Sequence, residues 1–421
     1  MVLRKYLIIG LTVAVAGFTL GQTVVSARQN NNYGKISGKY IVVLKNNASA
    51  SDIQTVIGKH GIQTTEEYSN VIKGFSANMT EAKVSEIKKD SRVVYVVQDR
   101  VVSADGKVSP TTSTTNTQTI PNGVKRIGNN VANNGSGVKV AVLDSGVDLT
   151  HPDLKANLAT VSKSCVSTAR TANDDNGHGT HVAGTIAAVN NTVGVVGVAS
   201  GAKIVPVKVL DRTGNGSWST VICGIDWVTA NAAAYNIKVA NMSLSGTGVS
   251  DNNCGYTNND PLHQAICRST AAGVTYVVAA GNEGVNTSNS VPASYDDAVI
   301  AVSALADTDG VKGGLGLSTT YGADDTFASF SNYGSSVDIA APGVNIKSTW
   351  KGGTYSTING TSMASPHVAG AAVLYLKTNP SANWQTVKNA LISAGEANGF
   401  GHVDASGNNL HPEPVVLVNN L

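Results

Sequence analysis

Three short segments of this chain hold an acid, a base and a hydroxyl in settings suited to chemistry. Val142-Leu143-Asp144-Ser145-Gly146 puts an acid at the end of a hydrophobic run. Asn176-Gly177-His178-Gly179-Thr180-His181 puts a histidine between glycines, where other backbone can come close. Asn359-Gly360-Thr361-Ser362-Met363-Ala364-Ser365-Pro366-His367 puts a serine at the start of a helical pattern that runs to Lys377. Each has a plain structural reading when taken alone. A lone Asp after a strand commonly caps a turn. His178 with His181 could be half of a metal site, although His-x-x-His without a spaced acid or cysteine is a weak pattern. Ser362 could be a helix N-cap. Taken together, the three fit nucleophilic catalysis. A serine hydroxyl is a poor nucleophile at its own pKa. It needs a histidine to take its proton, and the histidine needs an acid to fix its tautomer and stabilise its cation.

Such residues need a rigid frame. From Pro121 onward, apolar runs at 138–143, 203–210, 239–243, 274–280 and 299–303 read as strands. Helical patterns at 178–189, 219–234 and 262–272 lie between them. Continuous apolar strands alternating with helices predict a parallel sheet covered on both faces, with functional residues beyond the C-terminal strand ends.

Before this lies a smaller unit: strand 39–44, helix 51–60 with Ser51 as its cap, strand 71–78, helix 80–89 and strand 93–97. That is a small α+β domain of β-α-β-β-α-β-like order. Between the units, 104–119 is rich in Ser and Thr and poor in apolar residues, so it reads as an exposed, cleavable linker. At the N-terminus, Arg4 and Lys5 precede an apolar run from Tyr6 to Leu20, followed by Val25-Ser26-Ala27. The run is short for a membrane span and reads as a secretory signal ending at 27, which leaves no later span and directs the chain out of the cytosol.

The whole chain has 421 residues, and 30 Lys+Arg against 28 Asp+Glu leave it near neutral. That balance excludes a nucleic-acid partner driven by charge and an acidic disordered chain. Hydrophobic residues make up 42%, enough for a real core, and 44 glycines suit many tight turns.

The blocks Asp-Ser-Gly, Asn-Gly-His-Gly-Thr-His and Gly-Thr-Ser-Met-Ala-Ser-Pro-His, in the order Asp144, His178, Ser362, resemble the subtilisin family of serine proteases. The likeness runs from about Gln118 to the C-terminus. It implies an α/β fold, a subtilisin-like parallel sheet with helices on both faces, preceded by a small α+β propeptide domain. It implies a secreted, monomeric serine endopeptidase made as a self-processing preproenzyme, acting on extended protein or peptide substrates. The alternatives are a catalytically silent chain on the same fold and a narrowly specific processing protease. The domains would be a signal peptide at 1–27, an inhibitory propeptide at 38–103, a linker with the maturation site at 104–117 and a catalytic domain at 118–421.

The same resemblance assigns further residues. Ala279-Ala280-Gly281-Asn282-Glu283-Gly284 matches the oxyanion block, so Asn282 would join Asp144, His178 and Ser362 in catalysis. Ser243-Leu244-Ser245-Gly246 and Gly214-Asn215-Gly216 match the two segments that pair with substrate backbone, with Ala279 and Gly281 beside them. Trp218 would border the pocket for the fourth residue before the cut, or else be a core aromatic. Ser245 and Ser290 stand where the family usually has glycine, and both would narrow the first pocket. Gln118, Asp153, Val189, Asn191, Val193 and Val195 match a structural calcium site of oxygen ligands. Because Gln118 adjoins the linker, it is expected to dock only after maturation. The four cysteines allow three pairings. Cys254 with Cys267 is favoured because it closes an apparent insertion after the substrate strand, and Cys165 with Cys223 then remains. The segment from Asp307 to Thr326 exceeds the family minimum and carries no assigned role.

Overall fold

The computed structural model describes residues 34–104, 106, 113, 117–128, 133–397, 409–419 and 421. The expected signal segment and most of the expected linker lie outside the described residues.

Six strands run parallel at the centre of one sheet, in the order Ile339–Pro342, Ile300–Ala306, Thr275–Ala279, Ile237–Met242, Lys139–Asp144 and Lys203–Lys208. Alternate residues of one strand face opposite sides, and the core divides accordingly. Val140 and Val142 pack with helices His178–Ala187 and Thr361–Thr378 through Val182, Ile186 and Val368. Ala141 and Leu143 pack with helices Trp218–Tyr235 and Pro261–Ala271 through Val221, Ile225 and Ile266. Both faces are therefore covered, which is why the strands read as unbroken apolar runs. Asp144 and Ala279 end their strands, and Ser243 follows directly on a third.

The small N-terminal unit has four strands rather than the three read from its apolar runs. Thr64–Tyr68 is a separate strand, and the next begins at Gly74. The sequence of Thr64–Tyr68, TTEEY, alternates exposed and less exposed positions at a sheet edge, so no apolar run marks it. Ser49, not Ser51, caps the helix Ala50–His60. Its hydroxyl accepts from Asp52 N–H at 3.2 Å, and the Asp52 carboxylate accepts from Ser49 N–H at 2.8 Å. That reciprocal pair satisfies two orphan donors at once.

The last strand of this unit continues well past residue 97. It spans Val93–Ala104, pairing first with Lys35–Leu44 and then, from Val101 to Ala104, with two strands from the larger part of the chain. Residues 101–104 are a strand because those partners exist, which no local pattern announces.

Helix Trp384–Ala394 also escapes the sequence reading, although its signals were present: Asn383 caps Thr386 N–H at 2.9 Å, and Trp384, Val387 and Leu391 form its buried stripe. The extra segment near 307–325 is tied down by Arg126. This buried guanidinium reaches Asp325 at 2.7 Å, Glu396 at 3.0 Å and Asp307 at 3.2 Å. Two disulfides are present, Cys165–Cys223 and Cys254–Cys267. Among the described residues no helix is long and apolar enough to cross a membrane.

Candidate active site

The acid and the base meet because two backbones come very close. A Cβ on Gly179 would lie 2.1 Å from the Gly146 carbonyl oxygen and 3.1 Å from Asp144 Cβ, so only glycine permits this approach. Across the gap, His178 Nδ1 lies 2.8 and 3.0 Å from the two Asp144 carboxylate oxygens. Both side chains are buried. Ser145 N–H donates to Asp144 Oδ1 at 2.7 Å, which fixes the carboxylate. With Nδ1 held as the donor, the proton-accepting nitrogen of a neutral ring is Nε2.

Asp174 builds the loop that presents His178, and the sequence reading missed it. Its Oδ1 accepts from Asn176 and Gly177 N–H, both at 2.9 Å, and from the Ser145 hydroxyl at 2.9 Å. Its Oδ2 accepts from Thr180 N–H at 3.0 Å and the Thr180 hydroxyl at 2.6 Å. An acid four residues before a helical histidine was the available signal. His181 is not half of a metal site. It is buried, with Nε2 3.0 Å from the Ile346 carbonyl and its ring edge-on to Trp350. Burial pushes its pKa down to about 3.

Ser362 is the second residue of its helix, not the cap, which is Gly360. Its hydroxyl donates to the Ser243 carbonyl at 3.1 Å. Pro366, four residues on, has no N–H to give to the Ser362 carbonyl. The Ser243 hydroxyl donates there instead, at 2.9 Å. Ser243 is held in turn by Asn241 Nδ2 at 2.9 Å, and Asn241 Oδ1 accepts from Ser365 at 2.8 Å. Ser243 therefore braces Ser362 on two sides.

Asn282 has its amide oriented by Thr361, whose N–H and hydroxyl donate to Asn282 Oδ1 at 2.9 and 3.1 Å. The opposite end of the amide is its donor. Gly281 precedes it at φ +104°, and a Cβ there would sit 2.2 Å from Asn332 Nδ2. Asn332, also absent from the sequence reading, donates to the Ala280 carbonyl at 3.0 Å, Glu283 Oε2 at 2.8 Å and Ser290 Oγ at 3.3 Å. Ser290 and Glu283 thus share one organising amide.

The paired segments form a slot, and it is filled. Val101, Val102 and Ser103 oppose Ser217, Gly216 and Asn215 on one side. Val102, Ser103 and Ala104 oppose Gly246, Ser245 and Leu244 on the other. Ala104 N–H donates to the Gly214 carbonyl at 2.9 Å. Val102 is buried in the cluster that contains Trp218, Leu244 and Val291, so Trp218 is both a core aromatic and a wall of this slot.

Two carboxylates fasten the small unit to helix Trp218–Tyr235. Asp99 accepts from Ser219 N–H at 3.1 Å and its hydroxyl at 2.6 Å, at the helix N-terminus where negative charge is favoured. Lys39 Nζ lies 3.1 Å from Asp99. From the helix, Asp226 accepts from Ser69, Asn70 and Val71 N–H at 3.2, 2.7 and 2.9 Å.

Gln118, Asp153 and the loop 189–195 also come together. Gln118 Nε2 lies 2.8 Å from the Val189 carbonyl, 3.2 Å from the Val195 carbonyl and 3.4 Å from Asn191 Oδ1. Asp153 accepts from Asn191 Nδ2 at 3.0 Å and Val195 N–H at 2.9 Å. Val193 N–H donates to Asn191 Oδ1 at 2.7 Å. Several hard oxygens converge on one donor nitrogen, and burial pushes the Asp153 carboxyl up. This donor set fits a hard cation, provided Gln118 turns its amide oxygen inward. Docking of Gln118 does not wait for a cut: its N–H already bonds the Thr192 carbonyl at 3.0 Å while Ala104 sits in the slot.

Residues 135–408 match the subtilase family model, and residues 39–105 match that of the peptidase inhibitor I9 family. Subtilisin NAT of Bacillus subtilis subsp. natto is 37% identical over 386 residues, covering 89% of this chain and 90% of that relative. Subtilisin Savinase of Lederbergia lenta is 43% identical over 294 residues, covering 68% of this chain and 96% of that relative. Among solved structures, a cold adapted subtilisin-like serine proteinase superposes with a TM-score of 0.56 at 34% identity, covering 71% of this chain and 98% of that one.

Proposed function

Because the chain belongs to the subtilase family, we propose that Asp144, His178, Ser362 and Asn282 carry out its serine endopeptidase chemistry on extended peptides. One observation supports this most: Val101–Ala104 lies as a middle strand in the slot and ends beside Leu244, one residue from the Ser243 carbonyl that holds Ser362 Oγ. Substrate would follow the same path by main-chain pairing, which favours broad sequence tolerance. Ser362 Oγ attacks the carbonyl carbon while His178 Nε2 takes its proton, and Asp144 stabilises the imidazolium. The Asn282 amide and the Ser362 N–H would donate to the oxyanion, charge that exists only in the transition state. His178 then protonates the leaving amine, and water repeats the sequence to release the acyl group. Labelling with a fluorophosphonate tests the reading. The label should map to Ser362 and be lost in His178→Ala; labelling elsewhere would overturn it.

In this reading residues 38–103 are the inhibitory propeptide, 104–117 contain the maturation cut, and 118–421 form a catalytic domain that acts as a monomer. Residues 1–27 direct secretion. Gln118, Asp153, Val189, Asn191, Val193 and Val195 hold a structural calcium ion. It supplies rigidity and no catalytic step.

The kcat/KM of the mature enzyme is expected to rise with pH through one ionisation between about pH 5 and 8, that of the imidazole that must be neutral to act as base. Burial holds His181 near 3 and His367 near 4, so both stay neutral through that window and supply no such step. A flat profile between those limits would count against His178 as the base.

Asp226→Ala is expected to speed release of the cleaved propeptide by roughly 10²-fold, because it strands three N–H groups that now meet a carboxylate, an effect of about 3 kcal/mol. The lag between appearance of the cut on a gel and appearance of caseinolytic activity measures this. An unchanged lag would show that Asp226 does not hold the propeptide.

A further inference from the structure

The slot strand carries a charged side chain just before its paired residues, and the larger part of the chain receives it. The Arg100 guanidinium carbon lies 4.8 Å from the centroid of the Trp218 ring. Its Nη1 donates to the Thr247 carbonyl at 3.0 Å. The side chain borders a cavity of about 410 Å³ whose other walls include Val249, Asn258 and Asp260. Asn258 and Asp260 belong to the segment closed by Cys254–Cys267, Val249 lies just before it, and Lys35, Val97 and Gln98 of the small unit complete the cavity around Arg100. The walls from the disulfide-closed segment are built to persist without Arg100. Asp251 accepts from the N–H groups of Asn253, Gly255, Thr257 and Asn258. His263, stacked on Tyr295, bonds Asp297 at 2.6 Å, and Asp297 accepts from Cys254 N–H at 2.9 Å. A wall already ordered loses little entropy when a ligand arrives.

We propose that this groove is a cation-accepting subsite of the mature protease, which takes an arginine side chain of the substrate four residues before the one that replaces Ala104. The inference rests on the reading that Val101–Ala104 follows the substrate path. An aromatic face and a main-chain carbonyl suit a guanidinium, which is weakly hydrated and presents several N–H donors. A glutamate there would meet the Thr247 carbonyl oxygen and the negative face of the Trp218 ring, both of which disfavour an anion.

The test uses the mature enzyme and synthetic peptides with the 97–110 sequence of this chain, carrying Arg, citrulline, Ala or Glu at position 100. Each competes with casein hydrolysis, so the inhibition constant is read whether or not the peptide is itself cut. Arg is expected to bind about fivefold to twentyfold tighter than Ala, with Glu weakest and citrulline, which lacks the charge, between Arg and Ala. In Trp218→Leu the Arg-to-Ala ratio should fall to within about twofold. Equal constants for Arg and Ala in the unaltered enzyme overturn the subsite, as does an undiminished ratio in Trp218→Leu. An enzyme that digests casein without distinguishing the peptides leaves the endopeptidase reading intact. One that digests no casein removes that reading and this subsite with it.

Discussion

Ser362→Ala is expected to lower kcat by about 10⁶-fold, the loss that removal of subtilisin's own catalytic serine causes, and to leave the precursor uncut. Both effects follow from one hydroxyl. Ser362 Oγ is bonded to the Ser243 carbonyl, and Ala104 pairs with Leu244 immediately beside it. Val102–Ala104 therefore occupies the path proposed for external peptides, so the first cut and later cuts are expected to need the same nucleophile. The fold should survive, because Ser362 is not the helix cap and its carbonyl still receives the Ser243 hydroxyl. Mass spectrometry of the chain made in a protease-deficient host gives the answer. A Ser362→Ala chain that matures normally there would assign processing to another enzyme. Combining it with His178→Ala should add little, because the two act as one unit.

Chelation is expected to shorten the life of the mature enzyme by about 100-fold at calcium near a hundred times its Kd, while initial kcat stays nearly constant. A ligand held only by the folded state stabilises it by about 2.7 kcal/mol at that excess. The proposed ligands lie on the Gln118 segment and the loop after helix His178–Ala187, away from Ser362 and Asn282. Without the ion, the buried Asp153 carboxylate has only hydrogen-bond donors such as Asn191 Nδ2 and Val195 N–H to offset its desolvation, and burial still pushes its pKa up. Opening the loop would relieve this and expose backbone to self-digestion. Asp153→Ala deletes the one carboxylate in the set and should reproduce the effect of chelator. Residual activity after heating, with calcium or with chelator, measures both. An unchanged inactivation rate in chelator would refute the assignment, as would a full calcium effect in Asp153→Ala.

Much of this was legible in the amino-acid order because it depends on local constraint. The strand runs at 138–143 and 274–280 had to be apolar throughout, since both faces of the sheet are covered, and each was found within a residue of Lys139–Asp144 and Thr275–Ala279. The glycines around His178 were readable for the same reason: Gly179 sits where any Cβ would strike the Gly146 carbonyl. Capping was harder. Ser49 and Ser51 are both plausible caps, and only the return bond from Asp52 selects Ser49.

The sequence alone determined the types of group that could do chemistry, their order along the chain, and the sheet that would carry them, because periodicity and backbone sterics act over a few residues. Only the tertiary structure decided how they are held. Asp174, Asn332 and Asn241 are ordinary polar residues in their own neighbourhoods, and they matter because distant segments bring partners to them: the Ser145 hydroxyl donates to Asp174, Asn332 donates to the Ala280 carbonyl, and Ser365 donates to Asn241. Residues 101–104 become a strand because Asn215–Ser217 and Leu244–Thr247 offer two edges more than 110 positions further along the chain. Hydrogen-bond satisfaction and charge pairing are properties of what meets in space, and the order of residues does not contain them.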